Sequence, residues 1–409
     1  MSRISRRNFC QFAGSALATL GLSQVNIQQQ GDRYGKVLAK TTPRKLALLV
    51  GINKYQDQAL EGCLTDVELQ RHLLIHRFGF NQKDILTVTD EQATREGILK
   101  AFEEHLIKQA KPGDVVVYHY SGHGSRVADP DPIVVSSARD NSGLNSTFVP
   151  INSGLPVGYP AQGGVVQDIM GHTLFLLMSS LKSENVTAVL DSCYSGGGTR
   201  EGFRVRSRDG GDKIQIAPEE KAYQQKWLSN LKWSREEFVK RYRAGVAKGV
   251  VLAATNPAQV AADARFNGFF AGAFTYQLTQ YLWQQTSTVE SAIANATSSM
   301  PKFPNFQQTP VYDVKVGSNY EKEPVYLINP TSSAADAVIT DVNGNQATLW
   351  LGGLQEKSLG DLEDGSAFAI IGSRGSSSGK VTFKSRNGLV GEATVEGVVK
   401  PGTLLQKVG

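Results

Sequence analysis

Cysteine is scarce. Cys10, Cys63 and Cys193 are the three in a chain of 409 residues, too few for the disulfide framework that staples small secreted folds. No uninterrupted apolar run approaches the ~20 residues that cross a bilayer, which excludes a multi-span membrane protein. Neither C-x-x-C nor H-E-x-x-H occurs, so no zinc pattern is present. No G-x-G-x-x-G opens a helix after a strand, so nucleotide binding has no support. Charge of one sign is limited too: the formal net charge is +5, short of the basic field that would argue for nucleic acid. Proline is sparse beside glycine, 15 against 41, and without a G-X-Y period this means turns, not collagen. What is there is an ordinary globular mix, 40% hydrophobic and 20% charged. That excludes wholesale disorder, and the length leads us to expect two to three domains.

Residues 1–22 pair a basic stretch ending in Arg6-Arg7 with a mildly apolar stretch from Phe12 to Leu22. Ser5-Arg6-Arg7-Asn8-Phe9 matches the start of a twin-arginine export leader, although Cys10 and Gln11 replace the usual leucine and lysine. Residues 1–39 are therefore expected to be leader and linker, with Val37-Leu38-Ala39 as the cleavage site and an exported mature protein. The alternative is a disordered basic tail on a cytoplasmic protein.

From Lys45 onward, short apolar strands alternate with helical periods. Lys45–Ile52, Asp84–Thr89, Val115–Tyr120, Val186–Leu190 and Gly249–Ala254 read as strands. Asp66–Phe78, Thr94–Lys108, Asp168–Leu181 and Ala271–Trp283 read as helices. Such alternation predicts an α/β fold with a mainly parallel sheet flanked by helices, over residues 44–300. Residues 199–248 interrupt it with 13 Lys or Arg and 7 Asp or Glu. Their first part has no hydrophobic period, and Glu219–Arg243 is a candidate helix. Beyond residue 330, six short strand candidates are separated by Gly, Ser and Asn-Gly turns, Asn343-Gly344 and Asn387-Gly388 among them. Residues 331–409 are therefore expected to form a small all-β domain, a barrel or a sandwich.

Two strand ends carry the chemistry. Val115–Tyr120 delivers His123 just past its carboxyl end, and Val186–Leu190 delivers Cys193 at the same place. In a parallel sheet such ends share one edge, so an imidazole and a thiol meet there, as a Cys-His nucleophile pair requires. Gly122 and Gly124 flank the histidine and Gly196, Gly197 and Gly198 follow the cysteine. Loops of this kind let backbone N–H groups approach a substrate and hold an oxyanion.

The segments H-Y-S-G-H-G and D-S-C-Y-S-G-G resemble those of the caspase-fold cysteine peptidases, and within them the metacaspases and bacterial orthocaspases. Leu60–Asp66 and Gly272–Tyr276 extend the resemblance over about residues 44–285, while the animal-caspase signature Q-A-C-x-G is absent. The resemblance implies Cys193 as nucleophile and His123 as general base and acid. It implies an oxyanion site at Gly124 and Cys193 N–H, and a P1 pocket from Cys63, Asp66, Ser121 and Asp191. Two carboxylates beside the nucleophile favour a guanidinium or ammonium, so cleavage after Arg or Lys is expected in protein or peptide substrates. The resemblance also implies self-cleavage in the basic, glycine-rich loop, which reads as exposed, at Arg200, Arg204, Arg206, Arg208 or Lys213. The family often uses Ca²⁺. Asp140 and Asp168 partly match its aspartate cluster, but Arg200 and Glu201 fall where another aspartate is expected. The set is incomplete, and no cofactor is expected to be required.

Plainer readings stand beside these. Cys63 can be a small buried hydrophobe, Asp66 a helix cap, Asp191 a turn former, and the basic loop a solvated surface. His119 reads as a core residue, and His72, His76, His105 and His172 carry no assigned role. Asp129 and Asp131 read as a turn. Two other functions remain: a caspase-like scaffold without proteolysis that binds a partner through its β domain, and a legumain-like peptidase cutting after Asn.

Overall fold

The computed structural model describes residues 43–133, 143–193, 199–200, 203–256, 259–302, 307–371 and 379–408. The leader assigned to residues 1–39, the glycines 196–198 and Asp140 lie outside these. Six strands form the central sheet: β1 (Lys45–Gly51), β2 (Ile85–Thr89), β3 (Val115–Ser121), β4 (Asn185–Asp191), β5 (Val250–Ala253) and β6 (Val311–Val314). Their order is β6-β5-β4-β3-β1-β2, parallel except for the antiparallel edge strand β6. Along β1 the side chains alternate between faces, as strand geometry dictates. Ala47 and Leu49 enter one apolar core, and Leu46, Leu48 and Val50 enter the other.

Helices cover both faces: α1 (Cys63–His76), α2 (Arg95–Ala101), α3 (Gly171–Ser180), α4 (Pro218–Leu231), α5 (Arg235–Arg243), α6 (Ala273–Gln284) and α7 (Val289–Ser298). Apolar side chains of α1, α6 and α7 pack with Ala47 and Leu49, while those of α2 to α5 pack on the opposite face. The expected helix over Thr94–Lys108 begins where Thr94 accepts the Gly97 N–H, but its second half, Phe102–Ile107, widens to π-helical bonding. The expected helix over Glu219–Arg243 is broken in two, because Lys232 takes a left-handed conformation (φ 57°) that ends α4. Ser234 then caps α5 by accepting the Glu237 N–H.

Residues 337–407 close into a six-stranded barrel, and all six strand candidates are present there. Gly344 and Gly388 take positive φ (61° and 59°) at two of its hairpins, the conformation for which glycine is suited. The barrel meets α6 and α1. The Tyr276 hydroxyl donates to the Leu354 carbonyl at 3.1 Å, Gln284 Nε2 donates to Gly353 at 2.8 Å, and His72 stacks on Trp350.

Candidate active site

Strands β3 and β4 are in register with Ser121 opposite Asp191, so His123 and Cys193 each lie two residues past that pair. The turn after β3 is tight. A Cβ on Gly122 would sit 2.5 Å from the Tyr55 hydroxyl, which itself accepts the His123 N–H at 2.9 Å. The His123 carbonyl accepts from Tyr120 Oη at 2.8 Å, and the imidazole lies tilted against the Tyr55 ring. Its Nε2 is 2.7 Å from the Gln58 carbonyl. A carbonyl only accepts, so Nε2 carries the hydrogen. In the neutral ring this leaves the Nδ1 lone pair free, and Nδ1 is buried with no protein partner. Burial lowers this histidine to about 4, and Gln58 opposes the shift. Burial also pushes the Cys193 thiol up to about 12. Both shifts hold the pair as neutral imidazole and thiol.

One carbonyl lies at the focus of these two strand ends. The N–H groups of Gly124 and Cys193, the pair expected to form an oxyanion site, both donate to the carbonyl oxygen of Arg206, each at 3.1 Å. The Arg206 side chain is fully buried. Its Nη1 is 2.6 Å from Asp66 Oδ2 and 3.3 Å from Asp191 Oδ1, and its Nη2 is 2.8 Å from Asp263 Oδ1. Nη1 also donates to Ser121 Oγ at 2.7 Å, while that hydroxyl donates to Asp66 Oδ2 at 2.7 Å. Cys63 is buried beside Ser121 and Arg206, and burial raises its thiol well above the usual range. The four expected pocket residues thus stand around one guanidinium.

Asp66 does not cap α1. Its Oδ1 accepts the Gly272 N–H at 2.9 Å. Asp191 is no turn former either, since its Oδ2 accepts the Thr275 N–H and hydroxyl at 3.0 and 2.7 Å. These bonds tie the pocket to the start of α6, and they explain Gly272, where a Cβ would fall 2.2 Å from Asp191 Oδ2. Gly272→Ala is expected to displace the carboxylate and lower both thermal stability and any cleavage. Unchanged melting and activity would contradict that packing. Three carboxylates face one cation, so the pocket is over-supplied with acid. Burial raises Asp66 to about 7, with Arg206 opposing and Asp191 adding to the rise.

The expectation of an exposed basic loop is corrected at Arg206 and Arg208, both of which are buried. Phe203–Val205 forms a strand antiparallel to Ala262–Phe266, and the Arg206 N–H continues that ladder to the Ala261 carbonyl at 3.0 Å. Beyond Arg206 the chain follows the strand Gly124–Ala128, with the Arg208 and Gly211 N–H groups donating to the Gly124 and Arg126 carbonyls, each at 2.9 Å. Charge pairing buries Arg206 and Arg208, while Phe203 and Val205 before them enter the apolar core. The other candidates differ. Arg204 is part exposed and pairs with Glu61 at 2.6 Å. Lys213 is exposed and donates to the Pro160 carbonyl at 3.0 Å. Arg200 pairs through its backbone with Phe203.

Asp168, a Ca²⁺ candidate, is fully buried and holds Arg208 Nη2 at 2.7 Å. Among the described residues no three His, Cys, Asp or Glu side chains cluster as a metal site. His119 packs within β3. Asp129 makes the expected turn by accepting the Asp131 N–H at 2.9 Å. Sequence reading missed Asp263 and Gln58. Asp263 had one signal, a lone acid in the apolar run Val260-Ala261-Ala262-Asp263-Ala264. Gln58 acts through its carbonyl from a positive-φ position (φ 60°), which no side-chain motif announces.

The sequence profile of the caspase domain, peptidase C14, matches residues 44–320, and the chain belongs to that family. It is similar to the metacaspase-1 proteins of three yeasts. Identity is 32% over 174 residues to that of Scheffersomyces stipitis, covering 41% of this chain and 40% of the relative. For Meyerozyma guilliermondii it is 33% over 168 residues, covering 39% and 37%. For Debaryomyces hansenii it is 32% over 199 residues, covering 46% and 42%. The chain thus spans about two fifths of the length of the curated relatives it matches. Among solved structures, a Geobacter sulfurreducens protein aligns at 21% identity with a TM-score of 0.45, covering 69% of this chain and 98% of that one. The structure named pro-sf-caspase-1 aligns at 9% identity with a TM-score of 0.33, covering 67% and 92%.

Proposed function

We propose that the chain is a cysteine endopeptidase that cleaves after Arg or Lys and that its own Arg206–Ser207 bond is the first substrate. One observation carries the reading: the Arg206 carbonyl accepts from the Gly124 and Cys193 N–H groups while its guanidinium is held by Asp66, Asp191 and Asp263. A peptide poised for acyl transfer must satisfy both conditions at once.

In the proposed reaction, the Cys193 thiol passes its proton to His123 Nδ1 as sulfur attacks the Arg206 carbonyl carbon. Negative charge on that oxygen is held by the two N–H donors. The C–N bond to Ser207 then breaks, and the imidazolium returns its proton to the leaving Ser207 amine. A thioester between Cys193 and Arg206 remains. Water, deprotonated by His123, hydrolyses it to a free Arg206 carboxylate and regenerates the thiol.

The acid limb of self-cleavage follows from His123. A general base must be unprotonated, and burial lowers this one to about 4. The rate is therefore expected to stay level as pH falls through 6.5, the ordinary histidine value, and to drop near pH 4. A limb at 6.5 would show that His123 is not buried when it acts. An arginyl chloromethyl ketone labelling Cys193, and not a Cys193→Ala chain, separates a peptidase from an inert scaffold.

A further inference from the structure

A second buried acid lies along the path that Arg206 defines. Arg208 stands two residues beyond the proposed scissile bond, and its side chain turns inward, 7% exposed. Its Nη2 is 2.7 Å from Asp168 Oδ2. Its Nη1 donates to the Ser153 carbonyl at 2.8 Å and approaches Ser153 Oγ at 3.3 Å.

The acceptor is oriented by groups outside the basic segment. Asp168 Oδ1 accepts from Ser153 Oγ at 2.6 Å, and Oδ2 accepts from Thr147 Oγ1 at 2.6 Å. Asp168, Thr147 and Ser153 are all buried. A carboxylate fixed in this way, with no cation opposite, is a costly buried charge. The chain's own Arg208 supplies that cation. The backbone supports the same path. Gly124 and Arg126 carbonyls accept the N–H groups of Arg208 and Gly211, and Ser125 Oγ donates to the Asp209 carbonyl at 3.1 Å. Such main-chain bonds are indifferent to sequence, so selectivity comes from the side-chain pockets between them.

We infer that Asp168, Ser153 and Thr147 form an arginine-selective subsite for the second residue after the cut, so that the enzyme prefers substrates of the form Arg-x-Arg. The inference rests on the reading of Arg206–Ser207 as a substrate and adds a requirement on the far side of the bond. Planar, two-pronged binding by a carboxylate and a carbonyl favours Arg over Lys. A Glu at that position would place two carboxylates together.

The test uses the full chain carrying Arg208→Gln, which empties the subsite of its own side chain. Internally quenched peptides share Arg before the cut and differ only in the second residue after it: Arg, Lys, Ala or Glu. The Arg peptide is expected to exceed the Ala peptide in kcat/KM by about tenfold, with Glu lowest. Adding Asp168→Asn should shrink the Arg-to-Ala ratio to within about twofold while an active-site titration stays complete. A ratio within twofold before that change would overturn the subsite. Should Arg208→Gln fail to fold, Arg208→Lys keeps the charge and loses the fork, and the preference for Arg over Lys peptides is read instead. If the chain already cut after Arg206 cleaves no peptide with basic P1, the primary reading fails and takes this one with it. If it cleaves them regardless of the later residue, only the subsite fails.

Discussion

The purified chain is expected to break first at one bond, leaving fragments 1–206 and 207–409 (the former shortened if the leader has been removed), the second beginning at Ser207. Arg206 is singled out among the basic residues by its carbonyl, not its charge. Only its oxygen, among the candidates described, accepts from both Gly124 and Cys193. Arg204 is in register with Asp263 inside a ladder, and Lys213 lies at the surface by Pro160. Because the bond is already seated, cleavage should be first order and its rate independent of dilution. Cys193→Ala is expected to abolish it, by at least about 10³-fold, since no acyl-enzyme can form. Arg206→Ala should remove this cut while leaving the thiol reactive to a small alkylating agent. Amino-terminal sequencing and intact mass of the fragments decide the matter. A first cut after Arg200 or Arg204, or equal fragmentation of the Cys193→Ala chain, would refute the assignment.

Peptides with Arg before the cut are expected to outpace matched Asp or Asn peptides by about 10³-fold or more in kcat/KM. An Asp side chain would bring a fourth carboxylate to Asp66, Asp191 and Asp263. An Asn would leave them without a cation. Arg should also exceed Lys, because the observed guanidinium reaches Asp66 and Asp263 through different nitrogens, which one ammonium matches poorly. Asp191→Asn should lower the Arg rate sharply without favouring Asp. The pH dependence has a definite sign. Burial raises Asp66 to about 7 even with Arg206 in place and opposing the rise, so once Arg206 has left the pocket it sheds its proton at or above neutrality. The pocket then gains negative charge as pH rises, and KM for the Arg peptide should fall from about pH 7 upward. A KM that rises over that range, or an Asp peptide cleaved faster, would overturn the pocket.

Much of this was legible beforehand. Strand alternation announced the parallel sheet, and the Asn-Gly spacing announced the hairpins of the barrel. His123 and Cys193 were readable as neighbours at two strand ends, while Asp66, Ser121 and Asp191 came from the family resemblance, and the structure sets these three around one guanidinium. The helix over Glu219–Arg243 was misread at its centre because nothing in a basic, polar run betrays the left-handed Lys232. Asp263 and Gln58 escaped because their roles rest on a partner far away in sequence and on a backbone carbonyl.

By itself, the order of residues determined which groups reach the carboxyl edge of the sheet. A thiol and an imidazole follow two apolar strands, carboxylates precede them, and strand pairing over a few residues decides where each side chain faces. Only the tertiary structure decided which arginine meets those carboxylates. Basic residues in one short segment are chemically alike, and the choice between them depends on a ladder with Ala262–Phe266 and on buried acids that share one guanidinium. Such pairing joins residues as distant as Asp66 and Arg206, and no local pattern encodes it.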